Sequence, residues 1–456
     1  MPTTISARKV LTPTGWISDA AVEVDGAGRI ASVGKKGFDS ASAVGLLLPG
    51  IANVHTHSFQ RAMAGLAETR GPGGRDDFWS WRKVMYRFLG VLTPDDVEAI
   101  AAQVQMDMAE AGFTASAEFH YLHHQPSGAH YDDIAETSGR IMAASEASGI
   151  GLTHLPVLYT YGGLDKRPLD GGQQRFGCDV ADFERLFSAL QPKARSMPDD
   201  FRIGVAPHSL RAVDQDGLEA CFALCPEAPF HIHAAEQVKE IDEVVSHLGS
   251  RPVRWLLDNM PVGERWCLIH STHIDESETT ALARSGAVAG LCPTTEANLG
   301  DGIFPAPEYL ANGGHIGIGS DSNIRLSVTE ELRMLETSQR LKRLQRTLLA
   351  TDETPSNGRF LYEHAAAGGA QALGREAGAI EAGNLADLVA LRDDIPFLDW
   401  PKPDDCLNAW IFGVEEPAVS EVWSAGRHIV RGGRHIRRDA IRSRFSATMH
   451  KLRGVL

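Results

Sequence analysis

Apolar positions fall along this chain in two different rhythms. The first fifty residues alternate with a period of two. The segment "AAVEVDGAGRIASVG" reads as a strand, a turn at Asp-Gly-Ala-Gly and a second short strand, hence a hairpin. The far end has the same character: "NLADLVALR" is a strand, and "SEVWSAGRHIVRGGRH" reads as two strands around Ser424-Ala425-Gly426. Two β-rich ends around a different middle predict a small β-sandwich domain assembled from residues 1–49 and 379–456.

In the middle, short apolar runs alternate with amphipathic stretches. The runs are "LLLPGIANVHTH", "FTASAEFHY", "IGLTHLPVLYT", "FRIGVAPHS", "PFHIHAAE", "RWCLIHST", "GAVAGLCPTT" and "HIGIGSDSN". The helical rhythm is clearest in "TPDDVEAIAAQVQMDMAEAG", with Thr93 as N-cap, Pro94 at the first helical position and Gly112 as terminator. Eight strand–helix units in series predict an α/β fold, a (β/α)₈ TIM barrel over residues 50–378. Its active site is expected at the C-terminal ends of the strands. A doubly wound open sheet is the alternative, weakened because no glycine fingerprint follows the first strand.

Composition narrows the function classes. With 43% hydrophobic and 23% charged residues, the chain is an ordinary soluble globular protein. A net charge of −15 argues against a nucleic-acid or acidic-membrane binder, which needs a basic face. A small anionic substrate held by a few local arginines stays compatible with it. Of six cysteines only Cys221 and Cys225 lie close together, with no matching second pair, so free buried thiols in a reducing compartment are expected. The start, "MPTTISARKVLTPTGW", has no apolar run suited to a signal peptide, and no apolar stretch reaches membrane-spanning length. A cytoplasmic enzyme is the expectation.

Histidines supply the chemistry. His55 and His57 end the first strand two residues apart, so both rings point to one face. An isolated His-x-His is more often a partly exposed turn, but here an apolar strand leads into it. His233 ends the fifth strand, His270 the sixth and Asp321 the eighth. Each alone reads as a satisfied side chain or a helix cap. In a barrel, however, these positions converge, and three histidines with one carboxylate suit Zn²⁺ or a similar divalent ion. Glu236, three residues past His233, sits where a carboxylate could shuttle protons for an activated water. His231 shares strand parity with His233 but lies deeper, and is expected to pack in the core.

The motifs "NVHTH", "HIHAAE", "LIHSTH", "GIGSDS" and "GAIEAGNLADLVAL" together resemble the amidohydrolase superfamily over nearly the whole chain, and within it the mononuclear deaminase branch. That resemblance implies His55, His57, His233 and Asp321 as ligands of one divalent metal, most simply Zn²⁺, with Fe²⁺ or Mn²⁺ also suited. It implies Glu236 and His270 as catalytic residues, with Asp321 assisting Glu236 in deprotonating water. Binuclear relatives need a bridging lysine or glutamate near strands three or four. Neither "GLTHLPVLYT" nor "FRIGVAPHSLR" offers one at its end.

The loops bear on the substrate. The segment after the first strand, "HSFQRAMAGLAETRGPGGRDDFWSWRKVMYRF", is aromatic and basic in an acidic protein, with Arg70, Arg75, Arg82, Lys83 and Arg87 near the expected mouth. Most of these charges read as a solvated face, and "GPGG" reads as a flexible lid, since no phosphate-binding Gly-Lys-Ser/Thr follows. Strand four ends in "HSLRAV" and strand two in "EFHYLHH". Two arginines from different loops would fork onto two carboxylates. The loop motifs "HSFQRAMAGLAE", "FWSWR", "EFHYLHH", "PHSLRAV" and "TTEANLGDGIFP" resemble open-chain deiminases of the same branch. By that resemblance Gln60, Arg82, Tyr121, His208 and Arg211 contact a small dicarboxylate carrying a linear amidine, and the enzyme is a homodimer. A deaminase of a purine, pyrimidine or triazine ring is the nearest rival, kept open by Phe78, Trp79 and Trp81. A non-catalytic scaffold is the other, disfavoured by the complete ligand set.

Overall fold

The computed structural model describes residues 3–69 and 78–454, without the side chains of 78–80. Arg70, Arg75 and the Gly-Pro-Gly-Gly segment therefore lie outside the described residues, as do the rings of Phe78 and Trp79.

The eight apolar runs of the middle become parallel strands: Ile51–Thr56, Phe113–His120, Gly151–Leu158, a broken fourth (Arg202–Ile203 and Ala206–Pro207), Phe230–Ala234, Trp266–His270, Val288–Leu291 and His315–Ile318. Helices separate most of them, which gives the α/β, TIM-barrel-type arrangement. Pro94–Glu110 shows why such a segment is helical. The Thr93 hydroxyl accepts the Asp96 N–H, the Asp96 carboxylate accepts the Thr93 N–H at 2.9 Å, and Gly112 at φ +99° turns the chain away. Twelve residues of that helix are buried, so packing on the strands supplies the rest of its stability.

The wall is not one ladder of eight. Strands one to four pair in one arc and five to eight in another, and single bridges, Thr56 to Asp321 and Val205 to Phe230, join the arcs. The fourth strand breaks at Gly204, where a Cβ would sit 2.7 Å from the Leu155 side chain, and Pro207 brings no N–H to the ladder. At the other seam the chains come unusually close. A Cβ on Gly319 would lie 2.9 Å from that of His55, and the His55 carbonyl accepts the N–H groups of both Ser320 and Asp321. This seam sets the eighth-strand aspartate against the histidines of strand one.

The chain ends expected to form a β-sandwich join in one continuous eight-stranded sheet. Its strands run in the order Arg434–His435, Arg427–Arg431, Val419–Ser424, Leu388–Leu391, Val44–Pro49, Thr3–Thr12, Gly15–Val24 and Ile30–Gly34. The reason is the register Leu388 to Pro49 through Leu391 to Leu46, which joins the two ends edge to edge. Strand alternation then serves two cores. Leu46, Leu48, Val389 and Leu391 face the main core, while Leu47, Leu388 and Ala390 meet Ile5 and Val22 in a smaller one. The turn between the strands ending at Ser424 and starting at Arg427 places Ala425 and Gly426 both at positive φ, as a tight two-residue hairpin requires.

Sheet and barrel are tied by a buried ion network. Arg375 lies fully buried, 3.2 Å from Asp200 beside the fourth strand and 2.9 Å from Asp387 beside the sheet, and Arg427 reaches Asp200 at 2.7 Å. Removing one partner of such a group strands a buried charge. Asp387→Ala should destabilise the protein by about 3 kcal/mol in equilibrium denaturation. A loss well under 1 kcal/mol would mean that Asp200 alone satisfies Arg375.

Candidate active site

The strand-end residues meet in one buried pocket. The Nε2 atoms of His55 and His57 are 3.1 Å apart, and that of His233 is 3.1 Å from His55. Asp321 Oδ1 lies 3.5 Å from His57 Nε2 and 3.7 Å from His55 Nε2. Two of the rings are pinned from behind: His57 Nδ1–H donates to the Phe119 carbonyl at 2.9 Å and His233 Nδ1–H to the His208 carbonyl at 3.0 Å. Their Nε2 lone pairs therefore face the centre.

Electrostatics keep these imidazoles neutral. Burial presses His57 down to about 3, and burial with neighbouring rings holds His55 and His233 well below the usual imidazole range. Burial also lifts the Asp321 carboxyl, to about 7, although His270 opposes the rise. A cation at the centre would draw these Nε2 lone pairs together. Two nitrogen ligands about 2.05 Å from one zinc-sized ion stand about 3.35 Å apart at the tetrahedral angle and about 3.1 Å apart when the angle closes to about 100°. The 3.1 Å separations fit that requirement for His55, His57 and His233. Asp321, which also lies near His270 and Cys292, is close enough to His57 and His55 to offer a carboxylate oxygen beside them.

Backbone conformation aims the reactive side chains. Ala235, His270, Ser271 and Asp321 all have positive φ, an unusual conformation for residues with a Cβ, and all lie at the ends of strands five, six and eight. At the fifth strand the turn is held by buried Glu240, whose carboxylate accepts the N–H groups of Ala235 and Glu236, each at 3.1 Å. Glu236 thereby projects into the pocket, with Oε2 3.7 Å from Arg211 Nη2 and Oε1 3.9 Å from His270 Nε2. His270 Nε2 also lies 3.8 Å from Asp321 Oδ2. Burial alone would press the His270 imidazolium down, but Glu236, Glu296 and Asp321 outweigh it and push it up. His231, as expected, packs below, with Nε2 against the Ala372 carbonyl at 2.8 Å.

The remaining expected residues line the same pocket: Gln60, Arg82, Tyr121, His208 and Arg211. Gln60 Nε2 donates to the Tyr121 hydroxyl at 2.9 Å, which fixes both. Arg82 lines the pocket, whereas Arg87 on the same helix (Phe78–Leu89) is exposed outside it. Trp81 also lines it.

Several residues of the site escaped the sequence reading, Arg167 and Lys239 of the pocket wall among them. Tyr159 directly follows the third strand, and its hydroxyl accepts from Arg82 Nη2 at 3.3 Å and from Gln173 Nε2 at 3.1 Å. The strand-end logic applied to Tyr121 would have found it. Glu118 accepts the Ser58 N–H at 2.9 Å and the Ser58 hydroxyl at 2.5 Å, fixing the chain just past His57. Glu296 reaches His270 from behind. Neither glutamate belongs to a strand-end pattern, and each is identified only by its partner across the barrel.

Residues 46–429 match the amidohydrolase family, and the chain belongs to that family. Among individual relatives, formimidoylglutamate deiminase of Pseudomonas aeruginosa is 47% identical over 438 residues, spanning 94% of this chain and 95% of that protein. The crystal structure of an amidohydrolase from Brucella melitensis, 44% identical, superposes with a TM-score of 0.94 over 98% of this chain and 99% of that one. An adenosine deaminase from Xanthomonas campestris with bound zinc, at 22% identity and a TM-score of 0.80, shares the fold over 99% of this chain and 98% of its own.

Proposed function

We propose that this chain is a formimidoylglutamate deiminase, a hydrolase of C–N bonds in linear amidines. It converts N-formimino-L-glutamate and water to N-formyl-L-glutamate and ammonia, a step of histidine degradation. The observation that carries the reading is that guanidinium groups, Arg82 and Arg211 with Arg167 beside them, share one pocket with the histidine–aspartate cluster. A dicarboxylate needs two such forks, and the similarity to the Pseudomonas aeruginosa enzyme points the same way.

In this reading His55, His57, His233 and Asp321 hold one divalent ion, most simply Zn²⁺, whose Lewis acidity makes water nucleophilic at neutral pH. Arg211 and Arg82 bind the two carboxylates, with Gln60, Tyr121 and His208 completing the wall, and so hold the formimino carbon beside Glu236. Asp321 and Glu236 draw off the proton as water adds to that carbon. His270, between Glu236 and Asp321, stabilises the charge that develops as the carbon becomes tetrahedral. Glu236 then passes its proton to the departing nitrogen of the protonated amidine. As the C–N bond breaks and ammonia leaves, the remaining hydroxyl proton passes to Asp321 and the formyl C=O forms. A cytoplasmic homodimer goes with this reading. Among the described residues, no helix is long and apolar enough to cross a membrane.

Ammonia release should be measured with N-formimino-L-glutamate, N-formimino-L-aspartate, adenosine and guanine. The formimino dicarboxylates should dominate, with the glutamate derivative first. Preference for a ring base would overturn the substrate assignment.

A further inference from the structure

Glu296 has no place in the mechanism above, and it does not line the pocket. It sits on the short helix Pro293–Leu299 that follows the seventh strand, 5% exposed and behind the His270 ring. One carboxylate oxygen, Oε1, lies 3.2 Å from His270 Nδ1 and accepts the Cys292 N–H at 2.9 Å. The helix that carries it is fixed in turn: buried Glu331 accepts the Thr294 N–H at 3.0 Å as well as its hydroxyl. Glu296 also anchors the loop beyond, since its carbonyl accepts the Asp301 N–H at 2.9 Å. The carboxylate is thus fixed at Oε1 by the Cys292 N–H while its helix and the following loop are held in place, which keeps it against the histidine.

An ionised carboxylate only accepts hydrogen bonds, so a ring nitrogen facing it carries the proton. With Nδ1–H committed to Glu296, the nitrogen left for the pocket is Nε2, the one that stands between Glu236 and Asp321. The backbone does not hold this arrangement unaided, because His270 and Ser271 both adopt positive φ.

We infer that Glu296 is the positioning residue for His270: it fixes the ring orientation and reserves Nε2 for the reacting group. The inference rests on the proposed function for its kinetic test but not for its structural one. Glu296→Ala should lower kcat for ammonia release from N-formimino-L-glutamate on the order of 10–100-fold. KM should change less than about threefold, and bound metal should be unchanged. Glu296→Gln keeps an oxygen that can accept the Nδ1 proton and should recover most of the lost kcat. Independently, ¹⁵N spectra of the metal-loaded protein should show His270 Nδ1 protonated in the wild type and in Glu296→Gln, and altered in Glu296→Ala.

An unchanged kcat in folded Glu296→Ala, a loss confined to KM, or the same His270 nitrogen shifts in all three proteins would overturn the inference. Should the Ala variant not fold, a kcat loss of about tenfold or more with an altered Nδ1 signal in Glu296→Gln would overturn it as well. A wild-type enzyme inactive on N-formimino-L-glutamate would count against the function alone, and the nitrogen spectra would still decide the role of Glu296.

Discussion

Glu236→Gln should lower kcat by about 10³–10⁴-fold while leaving bound divalent metal at the wild-type level. Gln is close in size to Glu, so the pocket should keep its shape and lose only a proton acceptor. The geometry separates this residue from the cluster beside it. Glu236 reaches toward Arg211 and His270, and it is not among the atoms that converge on the three Nε2 positions. A contrasting variant sharpens the test: His233→Ala should lose metal and activity together. Glu236→Gln turning over within tenfold of wild type would sink the proton-carrier role. Steady-state rates alongside elemental analysis of the purified protein provide both readouts.

Arg211→Met should reduce kcat/KM by about 10²–10³-fold, since truncating one partner of a buried, hydrogen-bonded charge pair costs several kcal/mol. Most of the effect should appear in KM, because a carboxylate remote from the reacting carbon is bound much the same before and during the reaction. Arg211 also stands 3.7 Å from Glu236, so a fall in rate alone would be ambiguous. Two analogues resolve it, each lacking one of the two carboxylates. The penalty should nearly vanish for the analogue that lacks the carboxylate Arg211 binds. An equal penalty for the full substrate and both analogues would show that Arg211 acts on Glu236 and not on substrate.

What the sequence revealed followed from strand parity and strand ends. Two residues apart on a strand means one face, so His55 and His57 were legible as a pair, and His231 could be told from His233 by depth. Residues at the last position of an apolar run in a barrel converge, which brought His270 and Asp321 into the same space before any coordinates. Partnerships across the barrel were not legible, because they depend on how neighbouring elements lie together. Glu296 behind His270, Glu118 on Ser58 and Arg375 between two aspartates are all of this kind. The break in the fourth strand was hidden for a related reason: Gly204 matters only because the Pro229 carbonyl and the Leu155 side chain crowd it. The joining of two β-rich ends into one sheet hinged on a single register, Leu388 with Pro49, between segments that each read simply as a strand.

That register also orders events during synthesis. Val44–Pro49 leaves the ribosome early, yet its partner Leu388–Leu391 lies roughly 340 residues downstream. At roughly 5–20 residues per second the wait is about 17–70 s. For that interval one edge of "VGLLLP" has no strand beside it, and an unpaired apolar edge invites association with other chains. The pairing that finally covers it is among the most distant in the molecule, of the slow kind that dominates folding of non-local β topologies. The sheet's middle seam therefore closes late on a growing chain, and until Leu388–Leu391 emerges this apolar edge stays open to association with other chains.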